Sequence, residues 1–353
     1  MILFNIQNMR ITQIALISFL FLLGIPYSLV YASLPDGFEP ATRIKTVSAS
    51  YPYGQARENS SGVVQLTYMV DKEGKPFEIM VADSSLPAFS KATIYAVRKW
   101  EFSSATLKGV PVESKQRLRY KFQITQQKQG ASPSFTKYYK RLMEELGEPE
   151  PNREAAAKLI KKMNKASIRN LYALTYAGLA WFEYSKKFGT DADQIAALKD
   201  IVLFDVEEEK EQRVLSVNAT FTVMDTLLKL LLNNNRYSEY LNYYEIFKPI
   251  DPKIDEMFSE VGDKVKELQI GTQAFSQKLE IGERGFTHFD LFKRVFYFET
   301  KSGQITELKL RCDTNFAKFS HNDKTDYQIP VSWGNCNIQV FGKPGSVTQL
   351  IQQ

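Results

Sequence analysis

Residues 51–124 constrain the fold more than any other part of the chain, because their pattern changes from strand to helix and back within one short segment. Residues 63–82 contain two extended runs joined by a turn at Gly74, which predicts a β-hairpin. Residues 87–100 carry apolar side chains at helical spacing. In residues 117–124, apolar side chains alternate with mostly basic ones, which predicts a half-buried strand whose basic side chains face water.

The order of short motifs in this segment resembles the C-terminal domain of TonB, the periplasmic energy transducer. The motifs are Tyr51-Pro52, Gly62 before the first strand, Asp71 and Gly74 in the turn, Ser84-Ser85 before the helix, residues 96–102 (AVRKWEF), Ala105, and residues 109–112 (GVPV) before the closing strand. No single motif is specific, but the ordered set with its spacing is. The alternative is an unrelated small α+β unit.

The resemblance implies a two-layer α/β module, made of a β-hairpin, a helix and an edge strand, that binds a peptide. Such domains bind an extended segment of an outer-membrane transporter beside their last strand, by β-augmentation. The peptide-binding residues that it implies are Tyr51, Pro52, Arg117, Arg119, Lys121 and Gln123. A full transducer also has a long proline-rich spacer, whereas residues 33–50 contain only two prolines. The resemblance therefore supports the binding mode better than it supports energy transduction.

Residues 1–32 have the pattern of a secretory signal. Arg10 supplies positive charge, residues 14–25 form a short apolar core, and Pro26 ends that core. The sequence Val-Tyr-Ala at residues 30–32 predicts cleavage after Ala32 and a periplasmic location. The alternative is an uncleaved signal anchor in the inner membrane, although the apolar run is shorter than the ~20 residues that a membrane helix needs.

The remaining sequence predicts an α+β chain with two further regions. Residues 33–125 form the TonB-like domain, and residues 126–134 are a polar linker. Helical periodicity then continues over residues 135–270, and short strands with turn residues between them follow in residues 275–353. The predicted helices cover residues 135–146, 153–163, 168–188 after a Ser167 cap, 191–204, 211–232, 236–247 and 252–268. The predicted strands cover residues 279–281, 295–299, 306–311, 327–331 and 337–341.

The helical region has a composition that is similar to tetratricopeptide-like helical hairpins. In residues 168–188, alanines lie beside tyrosines and a tryptophan at a spacing of three and four, which allows neighbouring helices to approach closely. No clean 34-residue period is visible, and an irregular helical bundle is the alternative. The last region reads as a small antiparallel β domain.

Cys312 and Cys336 are the two cysteines of the chain, and both lie at predicted strand ends of the β domain. In an exported protein, two such cysteines are expected to form one disulfide. A reduced, buried pair of thiols is the alternative.

Motifs that carry catalytic or cofactor chemistry are missing from the sequence. It has two histidines, His288 and His321, and lacks HExxH, Cys-x-x-Cys, Gly-x-Ser-x-Gly and phosphate-binding glycine loops. We therefore expect no enzymatic activity, no metal site and no cofactor. A formal net charge of +5 is small for 353 residues and argues against a nucleic-acid binder.

Three functions are consistent with these patterns. The first is a TonB-like adaptor that supports TonB-dependent transport across the envelope, with outer-membrane TonB-dependent transporters or other envelope proteins as partners. The second is an envelope scaffold without an energy-transducing role, and the third is an accessory or inhibitor of a periplasmic enzyme that acts through the β domain. The sequence leaves open whether an inner-membrane motor complex or a second copy of the chain is also a partner.

The signal segment generates a first prediction, which intact-mass measurement of the exported protein checks. The mature chain is expected to begin at Ser33, because the short apolar core and the Val-Tyr-Ala ending favour cleavage after Ala32. Membrane-bound protein that retains residues of the signal segment would contradict cleavage and support the signal anchor.

Overall fold

The computed structural model describes residues 34–124, 130–165, 170–206 and 210–353, apart from the side chain of Glu211. The predicted signal segment, part of the predicted linker and the predicted Ser167 cap lie outside the described residues. Across these described ranges, none of the helices is both long enough and apolar enough to cross a membrane.

The N-terminal module (residues 34–124) has a three-stranded antiparallel sheet as its centre. In chain order its elements are β1 (Phe38–Glu39), β2 (Arg43–Lys45), α1 (Tyr53–Arg57), β3 (Gly62–Val70), β4 (Pro76–Ser84), α2 (Pro87–Val97), β5 (Glu101–Phe102), β6 (Ala105–Leu107), β7 (Val110–Val112) and β8 (Ser114–Phe122). The sheet has the order β4-β3-β8, and α2 packs on one of its faces. This confirms the predicted hairpin, helix and edge strand.

The middle strand β3 is buried on both faces of this sheet, and alternate side chains have different neighbours. Val64 and Leu66 pack with Phe89 of α2 in the core of the module. Val63 points the other way and packs with Leu203 and Phe204 from the helical region. Because both faces are covered, β3 is a nearly continuous apolar run instead of an alternating one.

The hairpin between β3 and β4 closes through a turn that requires glycine. Asp71 Oδ1 accepts hydrogen bonds from the backbone N–H groups of Glu73 and Lys75 at 3.0 and 2.7 Å. Gly74 adopts φ +79°, and a Cβ at this position would lie 2.0 Å from the carbonyl oxygen of Phe102. The turn and the β5 segment can therefore approach each other only with glycine at residue 74.

The helical region (residues 130–271) contains seven described α-helices, each of which packs against the next one along the chain. They are α3 (Pro133–Gly147), α4 (Arg153–Lys165), α5 (Leu171–Phe188), α6 (Asp191–Ile201), α7 (Val217–Asn233), α8 (Tyr237–Phe247) and α9 (Pro252–Ile270). One apolar core joins α3 to α5, and a second joins α6 to α9. The all-helical character is confirmed, whereas the likeness to tetratricopeptide repeats stays a prediction.

Two predicted helix starts in this region were wrong, because other side chains cap the first turns. Asn170 Oδ1 accepts a hydrogen bond from the N–H of Ala173 at 2.8 Å, so α5 begins at Leu171. Ser216 caps α7 in the same way, so that helix begins at Val217 and not at residue 211. At the other end of α6, residues Val202–Val206 continue as a π-helical turn.

The C-terminal β domain (residues 275–353) consists of two four-stranded antiparallel sheets around one apolar core. Its strands are β9 (Phe275–Glu280), β10 (Phe286–Asp290), β11 (Val295–Ser302), β12 (Ile305–Cys312), β13 (Phe316–Ser320), β14 (Tyr327–Gln328), β15 (Cys336–Gly342) and β16 (Val347–Gln352). The sheets have the orders β10-β15-β12-β13 and β14-β11-β16-β9. The predicted antiparallel β class is confirmed, but β10, β13 and β16 were missed. The predicted strand 327–331 is shorter in the structure, because β14 ends at Gln328 and a 3-10 turn that follows Pro330 begins at Val331.

Cys312 and Cys336 form a disulfide that joins β12 to β15, as predicted. The two residues are direct partners in the register of these strands, with Cα atoms 4.0 Å apart. Both cysteines are buried in the core of the domain. The bond therefore connects strands that are already neighbours, and it closes a loop with a sequence separation of 24 residues.

We predict that alkylation of the folded, non-reduced protein leaves both cysteines unmodified, as mass spectrometry would show. The double change Cys312→Ser with Cys336→Ser should lower the free energy of unfolding by roughly 3 kcal/mol, because the unfolded chain gains loop entropy. Reduced and denatured protein serves as the fully alkylated control. Two alkylated cysteines in native exported protein would contradict the bond.

Candidate functional site

Strand β8 is an outer strand of its sheet, and the backbone pairing shows which of its peptide groups point outward. The N–H of Ser85 donates to the carbonyl oxygen of Val63 at 3.0 Å, so odd-numbered residues of β3 direct their peptide groups toward β4. Even-numbered residues of β3 therefore bond to β8, where Val64 is paired with Tyr120 and Val63 with Lys121. It follows that Arg117, Arg119 and Lys121 direct their peptide groups toward the outer edge.

The side chains of the same three residues lie on the face of the sheet opposite α2. Arg117 Nη2 lies 3.1 Å from Asp290 Oδ1, and Arg119 Nη2 donates to the carbonyl oxygen of Leu203 at 2.6 Å. Lys121 Nζ lies 3.4 Å from Gln212 Oε1. Arg117 is still 47% exposed, in line with the prediction that these side chains face water, but each of the three also has a partner from another region. The helical region and the β domain cover this face and supply partners for the basic groups.

Lys115 belongs to this row, and the sequence reasoning missed it. Its Nζ lies 3.0 Å from Asp313 Oδ1 and donates to the carbonyl oxygen of Asn335 at 2.6 Å. The two charged side chains are only 8% and 10% exposed, so they form a buried ion pair. Extending the basic alternation of residues 117–121 by one step toward the N-terminus would have identified this residue.

Asp290 is the acidic group that faces the middle of the row. Burial alone would raise the pKa of the Asp290 carboxyl, but the charges of Arg117 and Lys115 and a hydrogen bond from Asn337 outweigh burial and lower it. Asn242 Nδ2 also donates to Asp290 Oδ2 at 2.6 Å. Asp290 is therefore ionised at neutral pH and holds β8 and α8 to the β domain.

The other predicted site residues do not join this row. Tyr51 lies on the α2 side, where its ring makes edge contacts with Phe89 and Phe122 at centroid distances of 5.7 and 5.5 Å. Pro52 directly precedes α1, and Gln123 is exposed just after β8 ends. The six residues therefore do not form a single patch.

The comparisons with known proteins match this part of the chain. The family model described as the Gram-negative bacterial TonB protein C-terminal matches residues 47–124. Residues 47–124 are a TonB C-terminal domain. The match begins four residues before Tyr51, in the segment where the carbonyl oxygen of Val47 accepts a hydrogen bond from Trp100 Nε1 at 2.8 Å. The family match indicates a TonB-like envelope protein.

A solution NMR structure of the Pseudomonas aeruginosa TonB C-terminal domain is also similar to this chain. The sequences are 18% identical, the alignment covers 25% of this chain and 90% of that one, and the TM-score is 0.23. The family assignment rests on the sequence model and not on this structural score. No curated protein matches the sequence closely enough to count as a relative.

Glu78 of β4 connects the TonB C-terminal domain to the β domain. The pairing of β4 with β3 shifts between Met80 and Phe77, and Glu78 within this bulge adopts φ +45°. Its carboxylate lies 3.1 Å from Arg311 Nη2 and 2.9 Å from Lys309 Nζ, while its carbonyl oxygen accepts from Arg311 Nε at 3.0 Å. A single carboxylate thus pairs with two cations of the neighbouring domain.

Arg311 depends on this contact because its side chain is only 2% exposed. Burial lowers the pKa of the Arg311 guanidinium, and the carboxylate of Glu78 partly offsets that effect. A buried guanidinium needs a counter-charge and hydrogen-bond acceptors. Elsewhere in the described ranges, no group of three or more His, Cys, Asp or Glu side chains is placed to hold a metal ion.

We predict that Glu78→Ala lowers the free energy of unfolding by about 2–4 kcal/mol, because it leaves the buried charge of Arg311 without its counter-ion. Glu78→Gln should cost less, since the amide oxygen still accepts hydrogen bonds. Changing both partners, Glu78→Leu with Arg311→Met, should recover much of the loss by removing the buried charge. Urea denaturation of the disulfide-bonded protein measures all three.

Glu283→Ala is the matched control, since Glu283 is exposed and its loss should change stability by no more than about 0.5 kcal/mol. If Glu78→Ala and Glu283→Ala gave the same denaturation midpoint, the connection through Glu78 would contribute nothing to stability.

Proposed function

We propose that this protein is a periplasmic adaptor whose TonB C-terminal domain binds an extended segment of an outer-membrane transporter and thereby supports TonB-dependent transport. The observation that carries the proposal is the outward direction of the peptide groups of Arg117, Arg119 and Lys121 on an outer strand. A partner strand can hydrogen-bond such groups without any change in the sheet. The role needs no catalytic step and no cofactor.

Recognition in this proposal comes mainly from the backbone of β8. The side chains of Lys115 and Arg117 are paired with acids of the β domain, so they are held away from the edge. Tyr51 and Phe122 fix the end of β8 on the opposite face through their ring contact. Contacts on both faces therefore hold β8 in position, and a strand that is ordered before binding lowers the entropy that peptide binding would cost.

A second candidate function is an envelope scaffold, in which the same domain serves only to pack the chain together. The buried Lys115–Asp313 pair favours this role, because such a contact stabilises the assembly of the three regions and recognises nothing outside it. Basic side chains on an outer strand also suppress edge-to-edge aggregation. Pull-down from an envelope extract with the mature chain separates the two functions. Recovered transporters support the adaptor, whereas recovery of cell-wall or inner-membrane proteins alone supports the scaffold.

We predict that Lys121→Pro weakens transporter capture by roughly tenfold, because proline removes an outward N–H and cannot join a ladder. Lys121→Gln should change capture by less than about twofold, since it keeps the N–H and removes only a partly exposed charge. The effect of Lys121→Gln should also fade as the salt concentration rises. Titration of the mature protein with peptides from the N-terminal extended segments of transporters measures binding.

Two controls keep this test informative. Lys121→Pro must retain the near-UV circular dichroism of wild type, which reports the packing around Trp100. Thr67→Pro, in the middle strand, should instead unfold the domain, because its N–H is needed within the sheet. A folded Lys121→Pro protein that binds transporter peptides as tightly as wild type would overturn the proposed edge.

A further inference from the structure

A cavity of about 310 Å³ lies where the TonB C-terminal domain, the helical region and the β domain meet. Its volume is at the lower end of the range in which proteins hold small molecules. Thr67 of β3, Lys199 of α6, Glu239 of α8 and His288 of β10 all line it, so each of the three regions contributes to its wall. The cavity lies on the face of the sheet opposite α2, away from the outward peptide groups of β8.

The charges that line this cavity balance one another. They are three basic residues, Arg117, Lys199 and Arg236, and three acidic ones, Asp83, Glu239 and Asp290. Most of them are paired already: Lys199 Nζ and Arg236 Nε donate to Glu239 at 2.9 and 2.7 Å, and Arg117 lies 3.1 Å from Asp290. Asp83 is the sixth group, and its Oδ1 accepts a hydrogen bond from the backbone N–H of Ser84 at 2.6 Å. A charged ligand that contacts the five paired groups would have to separate these pairs in a partly buried site. An uncharged ligand would not.

The pKa values in the cavity are consistent with such pairing. Burial alone would raise the pKa of Glu239, but Lys199 and Arg236 lower it, so its carboxylate stays ionised. Burial, with the charge of Lys199 as the next cause, lowers the pKa of His288 to about 4. The imidazole of His288 is therefore neutral at pH 7 and offers one donor and one acceptor without adding charge.

The other polar groups of the wall are neutral, and one of them lacks a partner. Asn337 is 6% exposed and donates from Nδ2 to Asp290 at 3.2 Å, while its Oδ1 accepts no hydrogen bond within the described part of the chain. A buried amide oxygen is normally bonded, so the cavity wall holds one unsatisfied acceptor. Thr67, Gln65 and Gln277 add a hydroxyl and two amides to the same wall. Tyr243 and Phe289 supply aromatic surface.

We propose that this cavity is a binding site for a small uncharged saccharide. Hydroxyl groups match neutral amides, a threonine hydroxyl and a neutral imidazole, which each donate or accept single hydrogen bonds. The apolar carbons of a sugar ring match the aromatic surface. Free amino acids and peptide ends fit less well, because their charges would compete with the Lys199–Glu239 and Arg117–Asp290 pairs. This site is separate from peptide binding at β8.

Isothermal titration of the mature protein with N-acetylglucosamine tests this proposal. Glucosamine and glucuronate are matched ligands that add a positive and a negative charge, respectively. We expect N-acetylglucosamine to bind and both charged sugars to bind at least about tenfold more weakly, since each must disturb an existing ion pair. Failure of N-acetylglucosamine to bind, or tighter binding of either charged sugar, would overturn the proposal.

Thr67→Val locates the binding, because it removes one cavity hydroxyl at nearly constant shape. The affinity for N-acetylglucosamine should fall by roughly five- to tenfold, as for one lost neutral hydrogen bond. Thr348→Val is the matched control, since Thr348 is also buried but lies outside the cavity wall. It should leave the affinity unchanged. Equal affinities in wild type and Thr67→Val would place the sugar elsewhere and overturn the site.

Discussion

The contact of Glu78 with Arg311 and Lys309 is the interaction on which the rest of the structure depends. In the three-stranded sheet β4-β3-β8, the single helix α2 covers only one face. The middle strand β3 is nevertheless buried on both faces. The second face must therefore be covered by another part of the chain. Glu78 fixes that cover in place, because Arg311 is buried and its charge is neutralised by this carboxylate. The bulge in β4 directs Glu78 toward the β domain, and the Lys115–Asp313 and Arg117–Asp290 pairs join the same two regions.

This arrangement gives the basic side chains of β8 a different role from the one that the sequence predicts. A free-standing TonB-like module would present Arg117, Arg119 and Lys121 to solvent, where they would select acidic partners by charge. Here Arg117 faces Asp290, and Arg119 donates to a backbone carbonyl of the helical region. The basic side chains thus serve contacts within the chain. The part of β8 that we propose for partner binding is its outward-directed backbone. Backbone groups recognise an extended conformation more than a particular sequence.

The sequence alone predicted the elements whose signals are local. The hairpin turn, α2, β8, most of the helices and the pairing of Cys312 with Cys336 follow from turn residues, periodicity and cysteine count. The second covered face of β3 was not predicted, although its nearly continuous apolar run is typical of a strand that is buried on both faces. Glu78 gave no such signal, since its partners lie 231 and 233 residues away in the sequence. The cavity could not be predicted from the sequence either, because Thr67, Glu239 and Asn337 come together only when all three regions have folded.

The geometry of a β-strand explains how one short segment can take part in two separate sites. Side chains in a strand stand perpendicular to the sheet, whereas peptide groups lie within its plane. Arg117 illustrates this separation: its guanidinium lines the cavity beside Asp290, and its peptide group points to the outer edge of the sheet. A strand added at the edge would therefore leave the Arg117–Asp290 pair in place, and a sugar in the cavity would not contact the outward peptide groups of β8. The two proposed sites share a strand but compete for none of the same atoms.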